Sequence, residues 1–250
     1  MILRSLMKHM RDQSWVAVGL DFLIVVLGVF LGIQLGNWNE ALEIRARERV
    51  YLEQLLIDLE SDITTGQRGV RYADEIDDAA ERLLMVLEGK PGADDISDAD
   101  LVVAVVHAGY AYLPIGQSAT YEEMISTGAL GEMKNVELKR ALAHYYDWMD
   151  SGRQWDSLLR EEQYAYRTAI RGILNRQQFA WARANAGSEA RLPLPAFERA
   201  DFTARAVARP AIVDSLHSMG AVQERLRGDS RRIQEYAAEL SALVRKELEE

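Results

Sequence analysis

The sequence predicts an all-α chain: one N-terminal transmembrane helix followed by a helical-bundle exterior domain. Three observations predict it. Residues 15–38 read WVAVGLDFLIVVLGVFLGIQLGNW, an apolar run broken before Gly36 only by Asp21 and Gln34. Beyond that run, apolar residues recur at three- and four-residue spacing instead of alternating. And no proline stands between Met1 and Lys90, so every backbone N–H that an unbroken helix needs is present.

Residues 1–15 form a basic tail, with Arg4, Lys8 and Arg11 against the single acid Asp12. Residues 16–36 are the transmembrane helix. About 20 apolar residues rising 1.5 Å each match a hydrocarbon core of roughly 30 Å. A cleaved signal peptide fits less well. The apolar stretch exceeds the usual h-region, and the exit, Ile33-Gln34-Leu35-Gly36-Asn37, lacks the paired small residues of a cleavage site. The segment reads as an uncleaved signal anchor. For orientation, Arg45, Arg47 and Arg49 on the far side balance the three basic residues before the span, so the positive-inside count is a tie. The N-terminal basic residues stand closer to the apolar edge, and a large C-terminal domain translocates largely regardless of charge. Both favour a cytoplasmic N-terminus and an exterior C-terminal domain.

Residues 37–92 predict a long amphipathic helix, or helix pair, leaving the membrane. Leu52, Leu55, Leu56, Leu59 and Ile63 make one stripe, while Glu48, Arg49, Glu53, Asp58 and Asp62 fall on the other face. Gly66 and Gly69 are points where the helix can bend. Ile76, Leu83, Leu84 and Leu87 resume the period, and Gly89-Lys90-Pro91-Gly92 ends it.

Residues 93–250 predict the helical exterior domain. Ser97, three residues before Asp100, reads as a helix start for the β-branched run Leu101 to Val106. A loop from Tyr110 to Gln117 carries Pro114 and Gly116. Thr120 and Glu123 have capping-box spacing and open a short helix ending at Gly128. Asn135 caps the next, whose apolar side is Leu138, Leu142, Tyr145 and Tyr146. From Trp148 to about Asn185 the pattern stays helical, with Trp155, Leu158, Leu159, Tyr166, Ile170 and Ile173 facing one way and Arg153, Arg160 and Arg167 the other. The stretch from Ala186 to Pro195 reads as a loop. Pro210 starts or kinks a final helical region, through Ile212, Leu216, Met219, Val222, Leu226, Ile233, Tyr236, Leu240 and Val244.

Composition excludes several classes. The 250 residues contain no cysteine, so there is no disulfide scaffold and no thiolate metal site. The net charge of −10 argues against a nucleic-acid partner, whose phosphates need a basic face. His9, His107, His144 and His217 are scattered, with no metal-ligand spacing. His144 with Tyr145, Tyr146 and Asp147 makes a small polar cluster best read as packing. Gly116-Gln117-Ser118 lacks the closing glycine of a nucleophile elbow. The acids from Asp94 to Asp100 lack the loop glycine and distal Glu of a calcium loop. The expectation is no cofactor, no metal, no catalysis and no small-molecule substrate.

The residues that invite a role lie in the span. Gly28, Gly32 and Gly36 stack at i, i+4 and i+8, where missing side chains let another backbone approach. Asp21 and Gln34 are the intramembrane polar residues. An acid inside a span is a candidate proton-handling group, and single-span subunits of flagellar stators and biopolymer-transport motors are similar in outline. Asp21 lies about one and a half turns from Trp15, however, close enough to the interface to stay hydrated, and that reading is favoured. Trp15, Asn37, Trp38 and Asn39 read as interfacial anchors.

Two blocks resemble a family of bacterial membrane proteins known only as domain of unknown function 6090. One is Leu20-Asp21-Phe22-Leu23-Ile24-Val25-Val26-Leu27-Gly28, then Gln34 and Asn37-Trp38-Asn39-Glu40. The other is Ala119-Thr120-Tyr121-Glu122-Glu123-Met124, then Ser126-Thr127-Gly128-Ala129-Leu130, Asn135 and Leu138 to Tyr146. The family pattern has Glu where this chain has Asp21, and Asn where it has Gly36. The resemblance implies membrane anchoring and a helical exterior domain, and no activity. The expected setting is the bacterial inner membrane, single-pass, with the C-terminal domain in the periplasm. The expected role is an accessory or scaffold subunit of an envelope assembly. Its partners are the lipid bilayer and either other membrane subunits or a second copy on the glycine face. The alternative is an ion-coupled energiser using Asp21.

Overall fold

The computed structural model describes residues 15–152, 156–186 and 191–249, without the side chains of 15–18 and 156. The basic tail with Arg4, Lys8, His9 and Arg11 lies outside the described residues, as do Arg153, Trp155 and the Gly187 part of the loop before Pro195. Every regular element described is helical, as the spacing predicts. The chain divides into two compact units, Met1–Leu52 and Glu53–Glu250. Helix α1, Trp15–Leu87, contributes to both and is unbroken over its 73 residues.

In the first unit the described chain is helix throughout. Its large apolar side chains face outward all round: Phe22 is 71 % exposed, Val25 63 %, Phe30 55 % and Leu35 61 %. This is one helix near the N-terminus long and apolar enough to cross a membrane.

The second unit is organised by an antiparallel helix pair. From Leu55 a seam of buried positions runs along α1 at 55, 59, 62, 66, 69, 73, 76, 80, 83 and 87, stepping alternately by four and three, with Ala79 and Val86 buried beside it toward the end. Helix α9, Pro210–Glu249, repeats the pattern with Ile212, Leu216, Met219, Gln223, Leu226, Ser230, Ile233, Ala237, Leu240 and Val244 buried. An average step of 3.5 residues keeps both seams facing each other, as in a coiled coil. Cross-helix contacts give the direction: Glu60 meets Arg245, Asp74 and Asp77 meet Arg227, and Glu88 meets His217. Gly66 and Gly69 are not bends. A Cβ at Gly66 would lie 2.6 Å from the Ser230 carbonyl oxygen, and one at Gly69 would overlap the Ser230 hydroxyl. Both are glycine because the two helices approach too closely there for any side chain.

Helix α2, Asp98–His107, follows a 3₁₀ turn at Ala93–Asp95. The Ser97 hydroxyl oxygen accepts the Asp100 N–H, so the β-branched run is a capped helix. Its residues Leu101 to Val106 are all buried and form a core with the end of α1 and with Tyr166, Trp181, Phe202 and Met219. Helices α3, Ala119–Ser126, and α4, Ala129–Glu132, flank Gly128, whose φ of 80° needs a glycine. Helix α5, Val136–Gly152, is capped by Asn135, whose Oδ1 accepts the Leu138 N–H at 3.0 Å.

The helical pattern from Trp148 to about Asn185 resolves into three helical pieces. The chain there forms the end of α5, then α6, Asp156–Ala169, and α7, Arg176–Asn185. Gly172 at φ 74° turns the chain between the last two. Asn175 then opens α7 with a full capping box, closed by Gln178. Helix α8, Arg199–Val207, is an element the spacing does not announce; it is short, and only Phe202 and Ala206 are buried. Pro210 starts α9 instead of kinking it. Helices α5 and α6 both pack along α9, and α7 packs on α2.

Candidate functional site

Each span residue lies on α1. A Cβ built at Gly28, Gly32 or Gly36 meets nothing within 4 Å, so the glycine face is open in this chain. Asp21, Gln34, Asn37, Trp38 and Asn39 are exposed, and the Asn39 amide donates to the Glu43 carboxylate at 2.7 Å. Trp15 is the first residue of the helix. At about 100° per residue, Asp21, Gly28 and Gly32 fall within roughly 40° of one another, whereas Gln34 points to the opposite side. Asp21 therefore shares the glycine face. A helix that packs on those glycines packs beside the carboxylate.

The most unusual polar chemistry lies in the second unit, at a residue the amphipathic pattern places on the outer face. Asp62 is 0 % exposed. Its Oδ1 accepts the Gln117 backbone N–H at 2.7 Å, and its Oδ2 accepts the Tyr145 hydroxyl at 2.7 Å. One turn earlier, Asp58 accepts the hydroxyl of Thr120. That corrects the capping-box reading of Thr120. Ser118 precedes α3, and Thr120 lies inside the helix, where it serves a tertiary partner. The next residue along α5, Tyr146, stacks on Tyr121 at 4.1 Å between centroids. Its buried hydroxyl has no hydrogen-bond partner among the described residues.

Burial pushes the Asp62 carboxyl up to about 6, and the Asp58 charge adds to this. The hydrogen bonds from Tyr145 and Gln117 work the other way without overcoming it. Burial and the Asp62 charge likewise raise the Tyr145 phenol. The cluster joins α1, the loop before α3, and α5 through one carboxylate. Behind the loop lies a cavity of about 450 Å³, walled chiefly by Pro114, Trp148, Leu158, Leu226 and Ile233, with Arg232 among its polar groups. Gly116 belongs to both places. A Cβ there would lie 3.0 Å from Asp62 Oδ2 and would overlap the Met149 sulfur. The small residue lets the loop close over the carboxylate while forming the cavity wall.

No family model, curated protein or solved structure matches the chain. The site is therefore read on its own chemistry. Among the described residues no three of His, Asp and Glu converge as metal ligands. His144 is exposed and tilts against the Tyr236 ring at 5.9 Å, apart from the two tyrosines that follow it. Asp62 shows what the pattern reading missed and where the signal lay. Extending the stripe from Leu55 and Leu59 by the alternating step lands on Asp62, then on Gly66 and Gly69. A carboxylate on a seam position is a buried carboxylate, and Tyr145-Tyr146 supplies the polar tips able to meet it.

Proposed function

We propose that this chain is a single-span membrane-anchored interaction protein, with a helical exterior domain that acts as an accessory or scaffold subunit of an envelope membrane assembly. The supporting observation is α1 itself. Its N-terminal part is apolar and outward-facing on every side, and it carries an open glycine face that includes Asp21. Lipid satisfies the apolar surface. A second helix, from another subunit or another copy, satisfies the glycines and packs beside the interfacial acid. The N-terminus lies in the cytoplasm and the C-terminal domain in the periplasm of a bacterial inner membrane, a placement in keeping with the resemblance to the uncharacterised membrane family.

Two measurements test this. A reporter active only outside the cytoplasm should be active when fused after Glu250 and silent at the N-terminus; the reverse pattern refutes the orientation. Crosslinking in native membranes, followed by mass spectrometry, should capture a partner or a second copy through the span. Gly32→Leu should weaken that capture, because a branched side chain holds the backbones apart. Unchanged capture with bulky residues at both Gly28 and Gly32 rules out the glycine face.

A further inference from the structure

The seam between α1 and α9 carries a regular charge pattern with one gap. Toward one end Arg245 of α9 meets Glu60 of α1 at 3.0 Å. Toward the other, Arg227 meets Asp74 and Asp77, each at 2.8 Å, and His217 meets Glu88. At each of these places a base on α9 faces an acid on α1 or, for Glu88, just past its end. Between them, where Gly66, Gly69 and Ser230 bring the backbones together, the charged groups lining the groove are all basic. Arg68 and Arg71 of α1 and Arg231 of α9 line one groove of about 510 Å³, with the side chains of Thr64, Gln67 and Gln234.

Among the described residues no carboxylate forms an ion pair with any of the three arginines. All three are exposed, so solvent screens much of their charge and leaves each guanidinium open to a ligand. Arg68 and Arg71, three apart on one helix, repel each other, and Arg231 adds a third positive charge from across the groove. The chain as a whole carries a net charge of −10, so acids are abundant elsewhere. The counter-charge missing from the middle of the seam is best supplied from outside.

We propose that this groove binds a phosphate-bearing anion. A phosphate presents several acceptor oxygens in a tetrahedral array, and guanidinium forks on two helices can grip them from different sides. A planar carboxylate offers only two oxygens. The Gln67 amide provides a neutral donor beside them. The Thr64 hydroxyl is already committed to the Glu60 carbonyl, and the Gln234 amide to that of Ser230, so these two shape the groove and leave the anion to the arginines. The close approach at Gly66 and Gly69 sets the spacing. With side chains at those positions the helices, and with them the two arginine rows, would stand farther apart. The chemistry of recognition is the same for a soluble phosphate and for the phosphate of a lipid headgroup.

The test uses the full chain in an uncharged detergent. Modification of arginines by p-hydroxyphenylglyoxal is followed residue by residue by mass spectrometry, at constant ionic strength. Inorganic phosphate replacing chloride should slow modification of Arg68, Arg71 and Arg231 together, while exposed Arg176 and Arg183 react as before. Arg231→Gln should raise the phosphate concentration that half-protects Arg68 and Arg71 by about tenfold, the scale of one charge-assisted hydrogen bond. In a parallel arm, phosphatidic acid replaces phosphate in the micelles. Protection by phosphate alone assigns a soluble ligand, and protection by the lipid as well assigns a headgroup. The proposal is overturned if neither protects, if Arg176 and Arg183 are protected equally, or if Arg231→Gln leaves the protection of Arg68 and Arg71 unchanged.

Discussion

Replacing Asp62 by Asn isolates the cost of holding a buried charge at the α1 seam. Its carboxyl rises from 3.8 to about 6 on folding, because burial disfavours the charged form. A raised folded value means that the native state keeps its proton while the unfolded chain has lost it. The associated stability is therefore full below about pH 4 and is lost as pH climbs through about 6. The interval corresponds to about 3 kcal/mol, or about a hundredfold in the folding constant. Asn keeps an acceptor for the Gln117 N–H and offers an amide to the Tyr145 oxygen, but has no charge to desolvate. Urea unfolding of the full chain in detergent, followed by tryptophan fluorescence between pH 4 and 7.5, reads the difference. Wild type should lose stability relative to Asp62→Asn across this range, and the variant should be at least as stable at pH 7.5. Carboxylates such as Asp100, held low chiefly by Ser97, titrate in both proteins and cancel in the comparison. Parallel pH profiles for the two proteins would refute the argument that Asp62 is buried and raised.

Two stability predictions follow from the packing. Gly109→Ala places a Cβ inside the ring of Tyr166, which is fully buried and donates its hydroxyl to the Val105 carbonyl at 2.8 Å, so thermal unfolding should show a loss of about 1–3 kcal/mol. Asn175→Ala removes the acceptor of the Gln177 and Gln178 N–H groups at the start of α7; denaturant titration should show a loss of about 1 kcal/mol, with Asn175→Asp far milder.

What was legible in the sequence was legible for physical reasons. Helix starts marked by a side chain that caps its own backbone, Ser97 and Asn135, stand where the spacing puts them, because the interaction is local. The end of α1 before Gly89 is equally local. Features set by distant chain leave no such local mark. Thr120 has the spacing of a cap yet bonds to Asp58, 62 residues away. Asp62 looks like a solvated face until its partners 55 and 83 residues on are known. Gly66 and Gly69 suggest flexibility, whereas the reason for them is Ser230 on another helix. The α6–α7 break is hidden because Gly172 and the Asn175 box interrupt an apolar period that continues on both sides.

The antiparallel pairing of α1 with α9 also dictates an order of events during synthesis. Asp74 and its partner Arg227 are 153 residues apart, and Glu60 and Arg245 are 185 apart. At ribosomal rates of roughly 5–20 residues per second, the α1 seam waits about 8 to 40 seconds for its complement to be made. Throughout that interval Leu55, Leu59, Ile76 and Leu83 lack the surface that will cover them. The nascent second unit thus needs temporary protection, for which a chaperone is suited. A stop codon anywhere before α9 would leave that seam permanently bare, so even late truncations should behave as aggregation-prone products and not as shortened working proteins.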